Sequence, residues 1–211
     1  MKVSKRFKAI QDFLNVSDQF IDIGSDHAYV PILMAQRGSK KILATDIHAG
    51  ALKIARKNIM DAGSEDVIQT QLADGLSGVV TEGYDTLVIA GMGYFTIEHI
   101  LKDQEKLKPI KKMILQSNNH LKEVRLLLNK LGYALKDESV VYEKGHYYTI
   151  MLFVKESQTL TEVEYFFGLY KEEHKEYYHF LNQEINTLLK KVPEEKKQEL
   201  LHEQALLQNY L

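Results

Sequence analysis

Along the first 155 residues, short aliphatic runs alternate with stretches whose apolar residues recur every three or four positions. That alternation is the pattern of a parallel sheet covered on both faces by helices. Five runs predict strands: Gln19–Ile23, Lys41–Thr45, Val67–Leu72, Thr86–Ala90 and Met113–Gln116, each closed by glycine, aspartate or a polar cluster. Three stretches predict helices: Tyr29–Arg37, Ala49–Ala62 with Leu52, Ile54, Ala55 and Ile59 apolar, and Leu121–Leu131 with Val124, Leu127, Leu128 and Leu131 on one face. Each runs into a glycine, Gly38, Gly63 or Gly132, the usual helix stop. Tyr133–Val141 and His146–Val154 have only Tyr142-Glu-Lys-Gly145 between them, which predicts an antiparallel hairpin closing the sheet.

From Thr161 onward the strand-like runs stop, and Glu, Lys and Leu dominate. A capping box at Thr161-Glu-Val-Glu164 and a proline at 193 predict two helices, about Thr161–Lys191 and Pro193–Tyr210, packed as an antiparallel pair. Leu181, Ile185, Leu188 and Leu189 against Leu200, Leu201, Ala205 and Leu207 are the expected seam. The expected division is a sheet domain over 1–156 and a helical domain over 157–211. Five parallel strands alternating with helices, then a terminal hairpin, resemble the α/β, Rossmann-like class I methyltransferase fold, a seven-stranded sheet that here carries a coiled-coil-like helical pair.

The chain has 211 residues and no cysteine, which removes disulfides, thiolate metal sites, iron–sulfur clusters and cysteine nucleophiles. A soluble cytoplasmic protein is expected, because no run approaches the ~18 apolar residues of a membrane span. The net charge of −2 hides two unlike parts: +2 over residues 1–156 and −4 over 157–211. Basic residues cluster at Lys2, Lys5, Arg6 and Lys8 and again at Lys102, Lys106, Lys108, Lys111 and Lys112, each group a phosphate-binding patch or simply a solvated face.

Ligands of open α/β sheets bind at the carboxyl ends of the strands, and candidate chemistry stands at four of them. After the first strand comes Asp22-Ile-Gly24-Ser25-Asp26-His27. Gly24 admits close backbone approach, and Asp22, an acid inside an apolar strand, calls for a cationic partner such as the ammonium of a methionine moiety. As a glycine-rich loop it is degenerate, with Asp26 and Ala28 where small turn residues are usual. Asp46, before Ile47 at the end of the second strand, is placed to accept ribose hydroxyls or to cap the next helix. Asp74, before Gly75, either accepts from an adenine amino group or makes a turn. Ala90-Gly91-Met92-Gly93 after the fourth strand reads as a flexible rim.

Asp22-Ile-Gly-Ser-Asp-His27, Ala73-Asp-Gly-Leu76, Ile89-Ala-Gly-Met-Gly93, Gln116-Ser-Asn118 and Glu143-Lys-Gly-His-Tyr147, in this order before a two-helix tail, resemble the bacterial tRNA (adenine-22-N1)-methyltransferase family. The sequence departs from the family pattern at Ser117, where proline is usual, and at Tyr94, where glycine is. The resemblance implies S-adenosyl-L-methionine as cofactor, a folded tRNA as substrate and N1 of an adenine as methyl acceptor. It implies a cofactor site of Asp22, Gly24, Ser25, Asp26, His27, Asp46, Ile47, Asp74, Gly75, Ala90, Gly91 and Met92, with no metal. His27 and Asn118 are the candidates to touch the target base, with Tyr29, Tyr94 or Tyr147 stacking on it.

Methylation of an exocyclic amine lacks its usual Asn/Asp-Pro-Pro-aromatic run, and cytosine C5 methylation lacks its cysteine. Two other readings stay open. One is a nicotinamide-dependent oxidoreductase using the same crevice. The other is a cofactor-binding domain whose tail serves oligomerisation or partner binding, the oligomeric state, possible monomer included, being open. If the tail meets RNA, its Lys171/Lys175 and Lys190/Lys191 faces are the expected contacts.

Overall fold

The computed structural model describes residues 4–211, so Lys2 lies outside the described residues. The elements are α1 (Lys5–Asp12), β1 (Phe20–Ile23), α2 (Tyr29–Arg37), β2 (Ile42–Asp46), α3 (Ala49–Asp61), β3 (Ile68–Leu72), β4 (Thr86–Met92), α4 (Tyr94–Leu101), β5 (Lys112–Ser117), α5 (Leu121–Lys130), β6 (Tyr133–Glu143) and β7 (His146–Lys155). The tail adds α6 (Glu162–Phe167), α7 (Lys175–Leu189) and α8 (Glu194–Leu207). Seven strands form one sheet in the order β3-β2-β1-β4-β5-β7-β6. The first five are parallel, and β7 runs antiparallel between β5 and β6, as the hairpin reading expects.

The central strands are buried along their length because each is covered from both sides. On one face Ile21, Leu87, Ile89, Leu115 and Phe153 pack with Ile97 and Leu101 of α4 and with Val124 and Leu128 of α5. On the other, Phe20, Ala44, Val88 and Ile114 pack with Ile10 of α1, Met34 of α2 and Ala55 and Ile59 of α3. The chain reverses at β1/β4, the centre of the sheet, and this switch point sets the crevice.

The tail departs from the expected single helix over Thr161–Lys191. The capping box at Thr161 forms, but α6 ends after six residues at Gly168, and α7 begins only at Lys175. The cause is long-range. Arg125, buried on α5, donates to Glu138 of β6 at 2.8 and 3.0 Å and to the Tyr165 and Phe166 carbonyls at 3.1 Å each. Glu138 also accepts the Leu169 N–H at 2.7 Å, so the pair holds the chain open there. Gly168 sits against it at φ +81°, where a Cβ would fall 1.7 Å from Glu138 Oε2.

The tail's apolar cluster uses Ile185, with Leu181 and Leu189 one turn to either side, against Leu200 and Leu207, together with Phe167, Tyr177, Tyr178 and Tyr210. Leu188, Leu201 and Ala205 face solvent instead. Leu181, Ile185 and Leu189 make an i, i+4 row, and Leu188 falls off it. The expected Lys171 and Lys175 contacts are already engaged, Lys171 with Asp137 at 2.6 Å and Lys175 with Glu172 at 2.5 Å.

Most of the second basic cluster is also spent inside the fold. Lys106 donates to the Val79 carbonyl at 2.7 Å, Lys108 pairs with Glu105 at 2.5 Å, Lys102 meets His99 at 3.3 Å, and Lys112 pairs with Asp18. Lys112 opens β5, at the end of the sheet opposite the crevice. No helix among the described residues is long and apolar enough to cross a membrane.

Candidate active site

Two adjoining cavities of about 300 and 340 Å3 open at the carboxyl ends of β1, β2 and β4 and share Gly24, Ala90 and Gly91. Asp22, Ser25, Asp26 and His27 line the first; Asp46, Ile47, Asp74, Gly75 and Met92 line the second. The twelve residues expected around a cofactor therefore surround one continuous crevice.

The loop after β1 performs the task of a glycine-rich turn with few glycines. Gly24 (φ +71°), Asp26 (φ +48°) and Ala28 (φ +57°) all take the left-handed conformation. For Asp26 and Ala28 this stores strain, of the order of 1–3 kcal/mol each, which the surroundings must hold. They do so by pinning both ends. The Ser25 N–H donates to the Thr45 carbonyl at 2.8 Å, the Asp26 N–H to Asp46 Oδ2 at 3.2 Å, and Asn58 Nδ2 to the His27 carbonyl at 3.0 Å.

Asp22 is 7% exposed, and the Ser25 hydroxyl donates to it at 2.5 Å. Burial, offset in part by that hydrogen bond and reinforced by the nearby Asp46 charge, pushes its pKa up to about 6. Such a carboxylate is short of a cation. Asp46 is equally buried; Oδ1 accepts the His48 N–H at 2.8 Å and Oδ2 the Asp26 N–H, while α3 is entered at His48 without a side-chain cap, so Asp46 does not cap that helix. Asp74 is exposed at the far wall of the second cavity.

At the exit of β4 the ladder shifts between Ala90 and Met92, making Gly91 a bulge. Buried Gln116 organises it: Oε1 accepts the Gly91 N–H at 3.1 Å and Arg6 at 3.3 Å, and Nε2 donates to Asn118 Oδ1 at 3.1 Å. Asn118 Nδ2 donates to the Gly91 carbonyl at 2.8 Å. Asn118 therefore lines neither cavity but is locked to the bulge between them, exposed, with one N–H and acceptor capacity to spare.

Sequence reasoning missed α1 as a wall of the site. Arg6 and Phe7 line the first cavity with His27 and Tyr29. Phe7, Tyr29 and His27 form an aromatic row, with centroids 5.5 and 5.3 Å apart, and Arg6 lies over both Phe7 and Tyr148. The helix is tied down by Glu143, which accepts from Ser4 Oγ at 2.6 Å and the Lys5 N–H at 3.0 Å. The Ser4-Lys-Arg-Phe7 run before Ile10 was a signal, but it read as charge alone. Thr96, His99 and Ile100 of α4 are further unforeseen lining residues of the second cavity. Tyr147 does not reach the site; it packs on Tyr177 and Phe180 of the tail, at 5.2 and 4.9 Å.

Fold and crevice together define a Rossmann-like α/β protein of the seven-stranded methyltransferase class. Residues 20–210 match the family model for TrmK, tRNA (adenine(22)-N(1))-methyltransferase, and this chain belongs to that family. The tRNA (adenine(22)-N(1))-methyltransferase of Bacillus subtilis is 32% identical over 154 residues, which span 72% of this chain and 65% of that protein. The chain thus aligns with a little under two thirds of that relative's length. Among solved structures, M. capricolum TrmK in complex with S-adenosyl-homocysteine is 30% identical, with a TM-score of 0.88 over 100% of this chain and 98% of that one. A Streptococcus pneumoniae protein solved with S-adenosyl-L-methionine is 28% identical, with a TM-score of 0.88 over 99% of both chains.

Proposed function

We propose that this chain transfers the methyl group of S-adenosyl-L-methionine to N1 of adenine 22 in tRNA. The observation that carries the reading is the placement of Asp22, Asp46 and Asp74 at three successive strand exits around one crevice, beside the Gly91 bulge and Asn118. A buried acid short of a cation fits the cofactor's ammonium group, and the family membership of residues 20–210 supports the same ligand and substrate.

When bound, S-adenosyl-L-methionine supplies an electrophilic methyl group on a sulfonium. Asp22 would hold the ammonium, Asp46 would accept from the ribose hydroxyls and Asp74 from the adenine amino group, while the turn at Gly24 lets the cofactor approach the backbone closely. The adenine N1 lone pair is the nucleophile, so the acceptor needs no proton removed at that atom. Alignment is the main demand. Asn118, fixed at both ends of its amide, offers its remaining hydrogen-bonding capacity to orient the base edge, and His27, stacked on Tyr29, forms part of the wall. N1 lies on the pairing edge, so the nucleotide must leave its pair before reaction.

Incubating the protein with labelled S-adenosyl-L-methionine and unmodified tRNA, then mapping reverse-transcription stops, tests this. A stop at position 22 that depends on cofactor is expected. Label incorporated without a stop there, or stabilisation against heat by NAD rather than S-adenosyl-L-methionine, rejects the reading.

A further inference from the structure

Beyond the crevice, one exposed aromatic group is unaccounted for by the core. Phe95, in the first turn of α4, is 69% exposed, the most exposed large apolar side chain among the described residues. It sits edge-on to Tyr94 at 5.2 Å and to His120 at 5.9 Å, and Tyr94 lies 6.1 Å from His120. One exposed ring alone would need no explanation, but three rings grouped at one place on the surface make a candidate contact patch.

The position of the group is fixed from below. The Tyr94 N–H donates to Asn119 Oδ1 at 2.9 Å, and the Asn118 N–H donates to the Met92 carbonyl at 2.8 Å, so the exits of β4 and β5 are stitched into one ledge. His120 is held in the left-handed conformation at φ +52°, which turns the chain at this point. The ledge is continuous with Asn118 and the Gly91 bulge on one side. On the other it passes into a third cavity of about 310 Å3 that runs from His120 to Phe166 and Leu181 of the tail.

Charge narrows the occupant. Glu123, Glu199 and Glu203 line that third cavity, against Lys122 alone, whose ammonium lies 3.6 Å from the centre of the Phe166 ring. Glu98 and Glu123 flank the ledge, engaged by the Tyr94 hydroxyl at 2.6 Å and His120 at 3.7 Å. This stretch is poor at neutralising phosphates and rich in flat rings, so what it offers a nucleic acid is stacking on bases.

We propose that Phe95 and His120 form a stacking ledge for an unpaired base of the tRNA substrate adjoining the target adenine. The inference rests on the tRNA-methylating reading above. By stacking a neighbour, the ledge holds the strand splayed and orients the target without touching the reacting atoms, which makes Phe95 a positioning residue.

The experiment measures KM for tRNA, kcat, the dissociation constant for S-adenosyl-L-methionine and the oligomeric state for the full chain and for Phe95→Ala, Phe95→Leu and Phe95→Tyr. Loss of one stacked base predicts a rise in tRNA KM of about tenfold or more for Phe95→Ala. The cofactor dissociation constant should stay unchanged. Phe95→Tyr, which keeps the ring, should behave as wild type, and Phe95→Leu, which keeps only apolar bulk, should resemble Phe95→Ala. Unchanged tRNA KM in Phe95→Ala overturns the ledge, as does rescue by leucine, or a mass change on substitution, which would make the patch a contact between copies. If the wild-type protein binds S-adenosyl-L-methionine but methylates no tRNA, the parent reading fails first and takes the ledge with it, a result visible before any variant is made.

Discussion

Asp22→Asn should make the protein more stable and a poorer binder of its cofactor. In the fold, burial raises the Asp22 pKa from 3.8 to about 6. The folded state thus holds its proton more tightly than the unfolded chain, and stability falls as pH rises through that window. The shift of about two units corresponds to roughly 3 kcal/mol of stability lost by neutral pH. Asparagine removes the charge while keeping the shape and an acceptor for the Ser25 hydroxyl, so the variant should recover up to about 3 kcal/mol, or ~6–12 °C in melting temperature for a chain of this size. Replacing a charge-assisted hydrogen bond to an ammonium should cost about 1.5–3 kcal/mol of cofactor binding, roughly 10- to 150-fold. Urea denaturation of wild type and variant near pH 7.5 and pH 5 checks the first half, and calorimetric titration of S-adenosyl-L-methionine the second. The stability gap should shrink by about half at the lower pH, where Asp22 is largely protonated in the fold. Wild-type cofactor affinity should itself rise with pH through about 6, because the ammonium prefers the ionised carboxylate. A variant no more stable than wild type near pH 7.5, or a gap independent of pH, refutes the reasoning.

Asp46→Ala should weaken cofactor binding by about 1.5–3 kcal/mol, read by the same titration, and also loosen the loop, since Asp46 accepts the Asp26 N–H. Asn118→Ala should lower kcat for tRNA methylation with cofactor affinity nearly intact; an equal loss of cofactor affinity would place Asn118 on the other ligand. Glu138→Ala leaves Arg125, 1% exposed, without its counter-charge and should cost about 3–5 kcal/mol, seen as a lowered denaturation midpoint.

The sheet was legible from the sequence because its central strands are buried aliphatic runs, β1, β2 and β5 each followed by a helix that runs into a glycine, signals that are local. Every predicted strand lies within a residue or two of its observed bounds, and the Tyr29–Arg37 helix matches. The acidic candidates at the strand exits were legible for the same reason: their place in the chain determines their place on the sheet. What failed to show was set by partners distant in sequence. Asp26 and Ala28 carry no hint of left-handed backbone, because the bonds that impose it come from Thr45, Asp46 and Asn58. Gln116 and Arg6 are 110 residues apart in sequence and meet only through the β5 exit. Helix α4 did have a local signal, Ile97, Ile100 and Leu101 on one face, but the glycines before it read as a flexible rim. The break in the tail at Gly168 depends on Arg125 and Glu138, 43 and 30 residues upstream.

That same ion pair constrains how the protein is made. Arg125 and Glu138 leave the ribosome before the Tyr165 and Phe166 carbonyls and the Leu169 amide that complete their hydrogen bonds. Strand β6 also emerges before β7, although β7 is the strand that joins it to β5. A nascent chain that has extruded the whole crevice therefore still carries an open sheet and a charged pair awaiting its last partners. The sheet is closed by β7, and the hydrogen bonds of the buried Arg125–Glu138 pair are completed only when the tail arrives after it.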